Sequence, residues 1–148
     1  MADSLSKIYV HLIFSTKGRI PSIRKALFAE LWAYAAGILK RHRCLPLAIG
    51  GTANHIHALF ILDRTVTVSD IAHAVKAGTS KWYGEQTLNP FEWQTGYAAF
   101  SVSPSKVEAV RRYINHQEEH HRRHAFEEEL REFFDKHDMT YDERFIWG

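Results

Sequence analysis

The 148-residue chain has one cysteine, Cys44, so no internal disulfide can staple it and its stability must come from a packed core. No run approaches the ~18 apolar residues that a membrane-spanning helix needs, and the first residues, MADSLSK, lack the apolar stretch of a secretory leader. No phosphate-cradling loop of the G-x-x-x-x-G-K type occurs, which argues against chemistry driven by nucleotide hydrolysis. Internal repeats, low-complexity segments and Pro/Gly-rich linkers are also missing. Together these absences predict one domain spanning 1–148 in a reducing, cytoplasmic compartment.

Acidic residues are scarce at first: residues 1–60 carry eight Lys/Arg against two Asp/Glu, a charge of +6. Residues 61–124 carry +1, and residues 125–148 carry −5. A basic body with an acidic C-terminal extension, about 125–148, suits a polyanionic ligand, and equally suits an unevenly charged surface with no such role.

Periodicity supplies the elements. KIYVHLIFS (7–15), CLPLAIGG (44–51), NHIHALFIL (54–62) and YAAFSVS (97–103) read as strands, the middle pair joined by a Gly-containing turn. Residues 22–43 show helical apolar spacing at Leu27, Leu31, Tyr34 and Ile38; residues 69–85 form a helix capped by Ser69. A continuous helix over 103–123 starts at Ser103–Pro104 or at a Ser105–Glu108 capping box, and 125–137 forms a further helix carrying Phe126, Leu130, Phe133 and Phe134 on one side. The order βαββαβ predicts an α+β, ferredoxin-like fold: an antiparallel sheet with two helices on one face, plus C-terminal helices.

His55 and His57 alternate within a strand, so their imidazoles share a face. Alone the pair is uninformative, because 10 histidines in 148 residues give about 0.7 chance H-x-H triplets. The 103–123 helix adds a second signal: Tyr113, Gln117, His120 and His124 fall within a sector of roughly 60°. Tyr113 and Gln117 stand at i, i+4, which sets a phenol beside an amide oxygen. Chance would give a Tyr-x-x-x-Gln spacing only ~0.1 times in such a chain.

HLIFSTKGR (11–19), NHIHALF (54–60), FEWQTGYAAFSVS (91–103) and RRYINHQ (111–117) resemble, in order and spacing, the single-tyrosine HUH transposases of small bacterial insertion sequences and their relatives associated with palindromic repeats. The resemblance implies that His55, His57 and Gln117 bind a divalent metal, Mg²⁺ or Mn²⁺, and that Tyr113 is the nucleophile. It implies cleavage and rejoining of single-stranded DNA at hairpin-bearing ends through a 5′-phosphotyrosine, by a homodimer in which the tyrosine helix can act in trans. A bacterial, nucleoid-associated location goes with it. Asn54 stands where many relatives have Asp, which leaves its supporting contact to a histidine open; His120, close to the tyrosine stripe, is a candidate for a role near the leaving group. Lys7, Lys17, Arg19, Arg111 and Arg112, near strand and helix ends, are candidate phosphate contacts, though each taken singly reads more readily as a solvated surface charge.

His116, His120, His121 and His124 invite a zinc reading, but the interspersed Glu118, Glu119, Arg122 and Arg123 favour a solvated helix surface. His11 and His73 are expected to be structural, and Trp93 and Tyr97 to pack rather than stack bases. Two rival functions stay open: a replication-initiator or relaxase-like nickase, which usually has further domains, and a non-catalytic nucleic-acid-binding ferredoxin-like module.

Overall fold

A computed structural model of the chain describes residues 4–141. The expected acidic extension therefore lies only partly within it, residues 142–148 being outside the described residues. Four strands, β1 (Ile8–Ser15), β2 (Leu45–Thr52), β3 (His55–Leu62) and β4 (Ala98–Val102), form one sheet in the order β2-β3-β1-β4. Every pairing is antiparallel. This is the expected split-βαβ, ferredoxin-like arrangement.

Strand alternation assigns the two faces. Val10, Leu12 and Phe14 of β1 join Ile56, Ala58 and Phe60 of β3 in the main core. The helices α1 (Phe28–Arg41) and α2 (Val68–Thr87) close over them with Leu31, Ala35, Ile38, Leu39, Ile71 and Val75. The other face carries His11, Ile13, Ser15, His55, His57 and Leu59, all buried. Three C-terminal helices cover it: α3 (Val107–Asn115), α4 (Gln117–His120) and α5 (Phe126–Lys136). Val107 and Ile114 of α3 pack on Ala48 and Leu59, while Phe126, Leu130 and Phe134 of α5 pack on Ile13 and Phe100. Each such buried aliphatic or aromatic side chain contributes about 1.5–3 kcal/mol, so α3 and α5 are fixed independently of one another. Among the described residues no helix is long and apolar enough to cross a membrane.

Four local expectations change. The first helix starts at Phe28 rather than residue 22, because Tyr83 holds the preceding segment extended: its hydroxyl donates to the Ser22 carbonyl at 3.0 Å and accepts the Arg24 N–H at 2.9 Å. Thr67, not Ser69, caps α2, through a reciprocal capping box with Asp70. The Ser105–Glu108 box does not form; Pro104–Lys106 make a 3₁₀ turn instead. The helix expected over 103–123 breaks at His116 (φ −116°, ψ 27°), separating α3 from α4.

Gly50 and Gly51 lie within β2; the hairpin turn is Ala53–Asn54. Gly50 pairs with His57, and a Cβ on it would collide with the Ile114 carbonyl oxygen. The missing side chain lets the end of α3 rest on the sheet beside the histidines. Gly50→Ala is expected to push α3 outward, costing about 1–3 kcal/mol in urea unfolding; an unchanged midpoint would contradict this role.

Candidate functional site

The two histidine rings of β3 stand on the α3–α5 face, and both are fully buried. The last turn of α3 puts the Tyr113 ring edge-on to His57, with centroids 5.8 Å apart. Beyond the break, Gln117 is buried with Oε1 2.9 Å from His55 Nε2. The four residues that the sequence singled out therefore meet within a single chain.

Two residues join them that sequence reasoning missed. Glu129 of α5 is 1% exposed, with Oε1 2.8 Å from His57 Nε2 and 3.6 Å from His55 Nε2. Its Oε2 accepts hydrogen bonds from the Tyr113 hydroxyl and from Gln117 Nε2 (3.2 Å). His121, expected on a solvated surface, turns inward: Nε2 lies 3.0 Å from Gln117 Oε1 and 3.1 Å from Glu129 Oε2. His121 follows the buried Gln117 at i, i+4, its backbone N–H donating to the Gln117 carbonyl at 2.9 Å, so the two side chains turn inward together. His124, predicted on the tyrosine stripe, is exposed because α4 ends at His120. His120 stays near, with Nε2 3.4 Å from the Tyr113 hydroxyl oxygen.

A ring of outer contacts orients the imidazoles. Asn54 Oδ1 and Thr52 Oγ1 lie 2.8 and 3.0 Å from His55 Nδ1, so Asn54 does make the contact to a histidine that the sequence left open. His11 is no mere structural residue: its Nε2 lies 2.8 Å from His57 Nδ1. The His121 Nδ1–H donates to the His124 carbonyl at 2.6 Å. Such outer acceptors fix the tautomer and leave the inner nitrogen to a ligand. His73 is exposed, and Trp93 is buried with Nε1 donating to Thr79 Oγ1, so both stand apart from the site; Tyr97 is 40% exposed.

Burial pushes His55 down to about 3, with His57 adding to the effect, and burial likewise lowers His11 and His120. Burial, then the neighbouring Glu129 charge, raise Tyr113 above the usual phenol range. Burial alone would raise Glu129, but His57, His121 and His55 outweigh it and hold the carboxyl well below the usual range. The centre is thus an ionised carboxylate among imidazoles with no Lys or Arg partner among the described residues.

Its donor set fits a metal ion. Nitrogen or carboxylate atoms of His55, His57, His121 and Glu129 all lie within 4.8 Å of one another. A neutral His55 that donates from Nδ1 to Asn54 points the Nε2 lone pair at the lone pairs of Gln117 Oε1. Facing acceptors of this kind are reconciled by a cation between them.

The candidate phosphate contacts are scattered. Lys17 pairs with Glu92 at 3.0 Å and Arg19 with Glu127 at 2.6 Å, the latter tying the end of β1 to α5. Arg111 lies 3.8 Å from Glu108, Lys7 sits over the Tyr9 ring, and Arg112 is exposed on α3. Solvent reaches Tyr113 from two sides: a depression of about 320 Å³ bordered by His120 and Arg123, and a groove of about 720 Å³ between α3 and α5, bordered by Lys106, Phe133 and Lys136.

Comparison with known proteins bears on the fold and the family. No curated protein matches. Among solved structures, a "putative transposase" from Deinococcus radiodurans R1 is similar at a TM-score of 0.62 and 18% identity, over 79% of this chain and 95% of that one. A REP-associated tyrosine transposase bound to a REP hairpin is similar at 0.57 and 12%, over 78% and 72%. These two likenesses bear on the fold. The family model described as "Transposase IS200 like" matches residues 4–117, which contain His55, His57, Tyr113 and Gln117; the chain belongs to the IS200-like transposase family.

Proposed function

We propose that this transposase cuts and rejoins single-stranded DNA at hairpin-bearing ends through a 5′-phosphotyrosine on Tyr113. The observation that carries the reading is the Tyr113 ring beside His57, with Gln117 Oε1 on His55 in the same chain. The hairpin substrate is supported by the likeness to a transposase bound to a REP hairpin.

In this reading His55, His57 and Gln117 hold a divalent cation, Mg²⁺ or Mn²⁺. Such an ion supplies positive charge for the non-bridging phosphate oxygens and offsets the Glu129 carboxylate beside the phenol. In this reading Tyr113 reacts as the phenolate, its proton released to solvent through the depression beside His120 and Arg123, and its Oη attacks phosphorus. The bond from phosphorus to the 3′ oxygen breaks, and that oxygen leaves as a hydroxyl, protonated from the side where His120 stands. The phosphoester is conserved in the tyrosine link, so a 3′-hydroxyl can later displace Tyr113 without a nucleotide cofactor. An SDS-resistant adduct with a fluorescent single-stranded oligonucleotide in Mn²⁺, lost in EDTA, is the expected result; an adduct that forms equally well in EDTA would overturn the reading.

The same chain supplies tyrosine and histidines, which favours action in cis. Mixing Tyr113→Phe with His57→Ala chains distinguishes this from a homodimer exchanging α3: cis predicts no adduct, and exchange predicts about a quarter of wild-type activity for random pairing of equal amounts.

For DNA affinity, the slope of log K against log[salt] is expected near −2 to −3.5, as three to five phosphate contacts on a single strand require. Arg112→Ala should flatten that slope by about one contact. Arg19→Ala should instead loosen α5, because its guanidinium is held by Glu127. A flat salt dependence in the wild type would remove the whole basic set.

A further inference from the structure

The family pattern ends at Gln117, yet the geometry continues past it. Helix α5 docks on the sheet through Phe126, Leu130 and Phe134, and Phe126 stacks on His55 with centroids 4.4 Å apart. Apolar packing therefore sets the height and phase of this helix, and three consecutive glutamates ride on it. Glu127 pairs with Arg19 and Glu128 reaches His124, whereas Glu129 is driven under the helix into the histidine cluster.

The proton inventory there is one-sided. His121 spends its Nδ1–H on the His124 carbonyl, so in the neutral ring the Nε2 lone pair faces Gln117 Oε1 and Glu129 Oε2. His55 spends its Nδ1–H on Asn54, so its Nε2 faces Gln117 Oε1 and, at 3.6 Å, Glu129 Oε1. His57 offers Nε2 to Glu129 Oε1 and turns Nδ1 to His11. Nitrogens from three rings, one amide oxygen and one carboxylate surround a common point, and the lone pairs of His55 and His121 face it.

We infer that Glu129 and His121 are metal ligands, so that α5 and the turn before it convert the His55–His57–Gln117 set into an enclosed five-residue centre. This rests on reading the histidine pair as a metal site. The chemistry of the added donors changes which ion is preferred. Mg²⁺ favours oxygen ligands and retains water, while three imidazoles with a carboxylate suit Mn²⁺, Co²⁺ and Zn²⁺. This centre is therefore built for a transition metal over Mg²⁺. Glu129 also links metal and nucleophile, since its Oε1 faces His57 while its Oε2 takes the Tyr113 hydrogen bond.

The test uses the full chain stripped with EDTA and titrated calorimetrically with Mn²⁺, Co²⁺ and Mg²⁺ at pH 7.5. The wild type is compared with Glu129→Gln, His121→Ala and, as control, Glu128→Gln, whose side chain is outside the centre. Glu129→Gln keeps the shape of a side chain whose helix is anchored by other residues, and circular dichroism checks that it folds. Expected are a wild-type preference for Mn²⁺ over Mg²⁺ of at least 100-fold, and a loss of Mn²⁺ affinity of at least 10-fold in both ligand variants. Glu128→Gln should stay within 2-fold of wild type. Visible absorption of bound Co²⁺, which reports the ligands themselves, should change in Glu129→Gln.

Affinities equal to the control, or weaker binding with an unchanged Co²⁺ spectrum, would overturn the inference, the latter reducing Glu129 to a nearby charge. A wild type that binds no metal would remove the centre altogether. Normal metal binding by a chain that never forms a Tyr113 adduct would sink the proposed reaction and leave these ligands standing.

Discussion

Tyr113→Phe is expected to abolish the covalent DNA adduct, a loss on the order of 10⁴-fold or more, while leaving the fold intact. The ring stays in place through its T-shaped contacts with His57, His120 and Phe133, and only the hydroxyl oxygen is deleted. Loss of a nucleophile typically removes nearly all of the chemical acceleration. The variant should also be no less stable than wild type, because the deleted group bonds mainly to an already satisfied carboxylate. Denaturing gels read the adduct, and urea unfolding reads the fold. Residual adduct in Tyr113→Phe would move the nucleophile elsewhere.

A second large effect is acid sensitivity without metal. His55 titrates near 3 in the folded chain because burial excludes its charge, against about 6.5 in the unfolded chain. Between those values the unfolded chain holds a proton that the folded one refuses, so stability falls as pH falls, by about 1.4 kcal/mol per unit. From pH 7.5 to 5.0 that amounts to about 2 kcal/mol. His11, lowered in the same direction by the same burial, adds to it. The Glu129 contribution has the opposite chemistry and a lower window: its carboxyl is depressed, so the stability it gives is present above about pH 4.3 and lost only below. Unfolding free energies from urea titrations in EDTA at pH 7.5 and 5.0 should therefore differ by at least about 2 kcal/mol. Equal free energies would mean that these histidines are not held neutral.

The strands and the histidine pair were legible because their signal is local. Alternation over eight residues assigns faces without knowledge of partners, and an i, i+4 pair within one helix needs only helical phase. Gln117 met His55 as expected even though the helix between it and Tyr113 is interrupted, since the break at His116 falls after the last apolar anchor of α3. That break was not legible. Residues 115–125 contain no apolar side chain except Ala125, so the polar run reads equally well as a continued helix or as a turn. The inward turn of His121 follows from its i, i+4 relation to Gln117, which its reading as a solvated surface residue hid.

Glu129 carried a faint signal: on the α5 wheel it borders the apolar stripe beside Phe133, as Glu127 does beside Phe134, while Glu128 lies opposite. Reading the acidic segment as a solvated extension hid it. His11 shares its face with His57 by alternation, but their contact requires the β1–β3 register, in which His11 lies diagonal to His57. The pairing partners of β1 are set by the whole sheet, not by any short stretch.

Tyr113 begins the tryptic peptide YINHQEEHHR, residues 113–122, which makes the central claim directly readable by mass spectrometry. After reaction with a single-stranded oligonucleotide in Mn²⁺ and nuclease trimming, that peptide should carry a nucleotide through phosphate on its tyrosine. The same mass found on Tyr9, Tyr97 or any other residue, with residues 113–122 unmodified, would contradict the account.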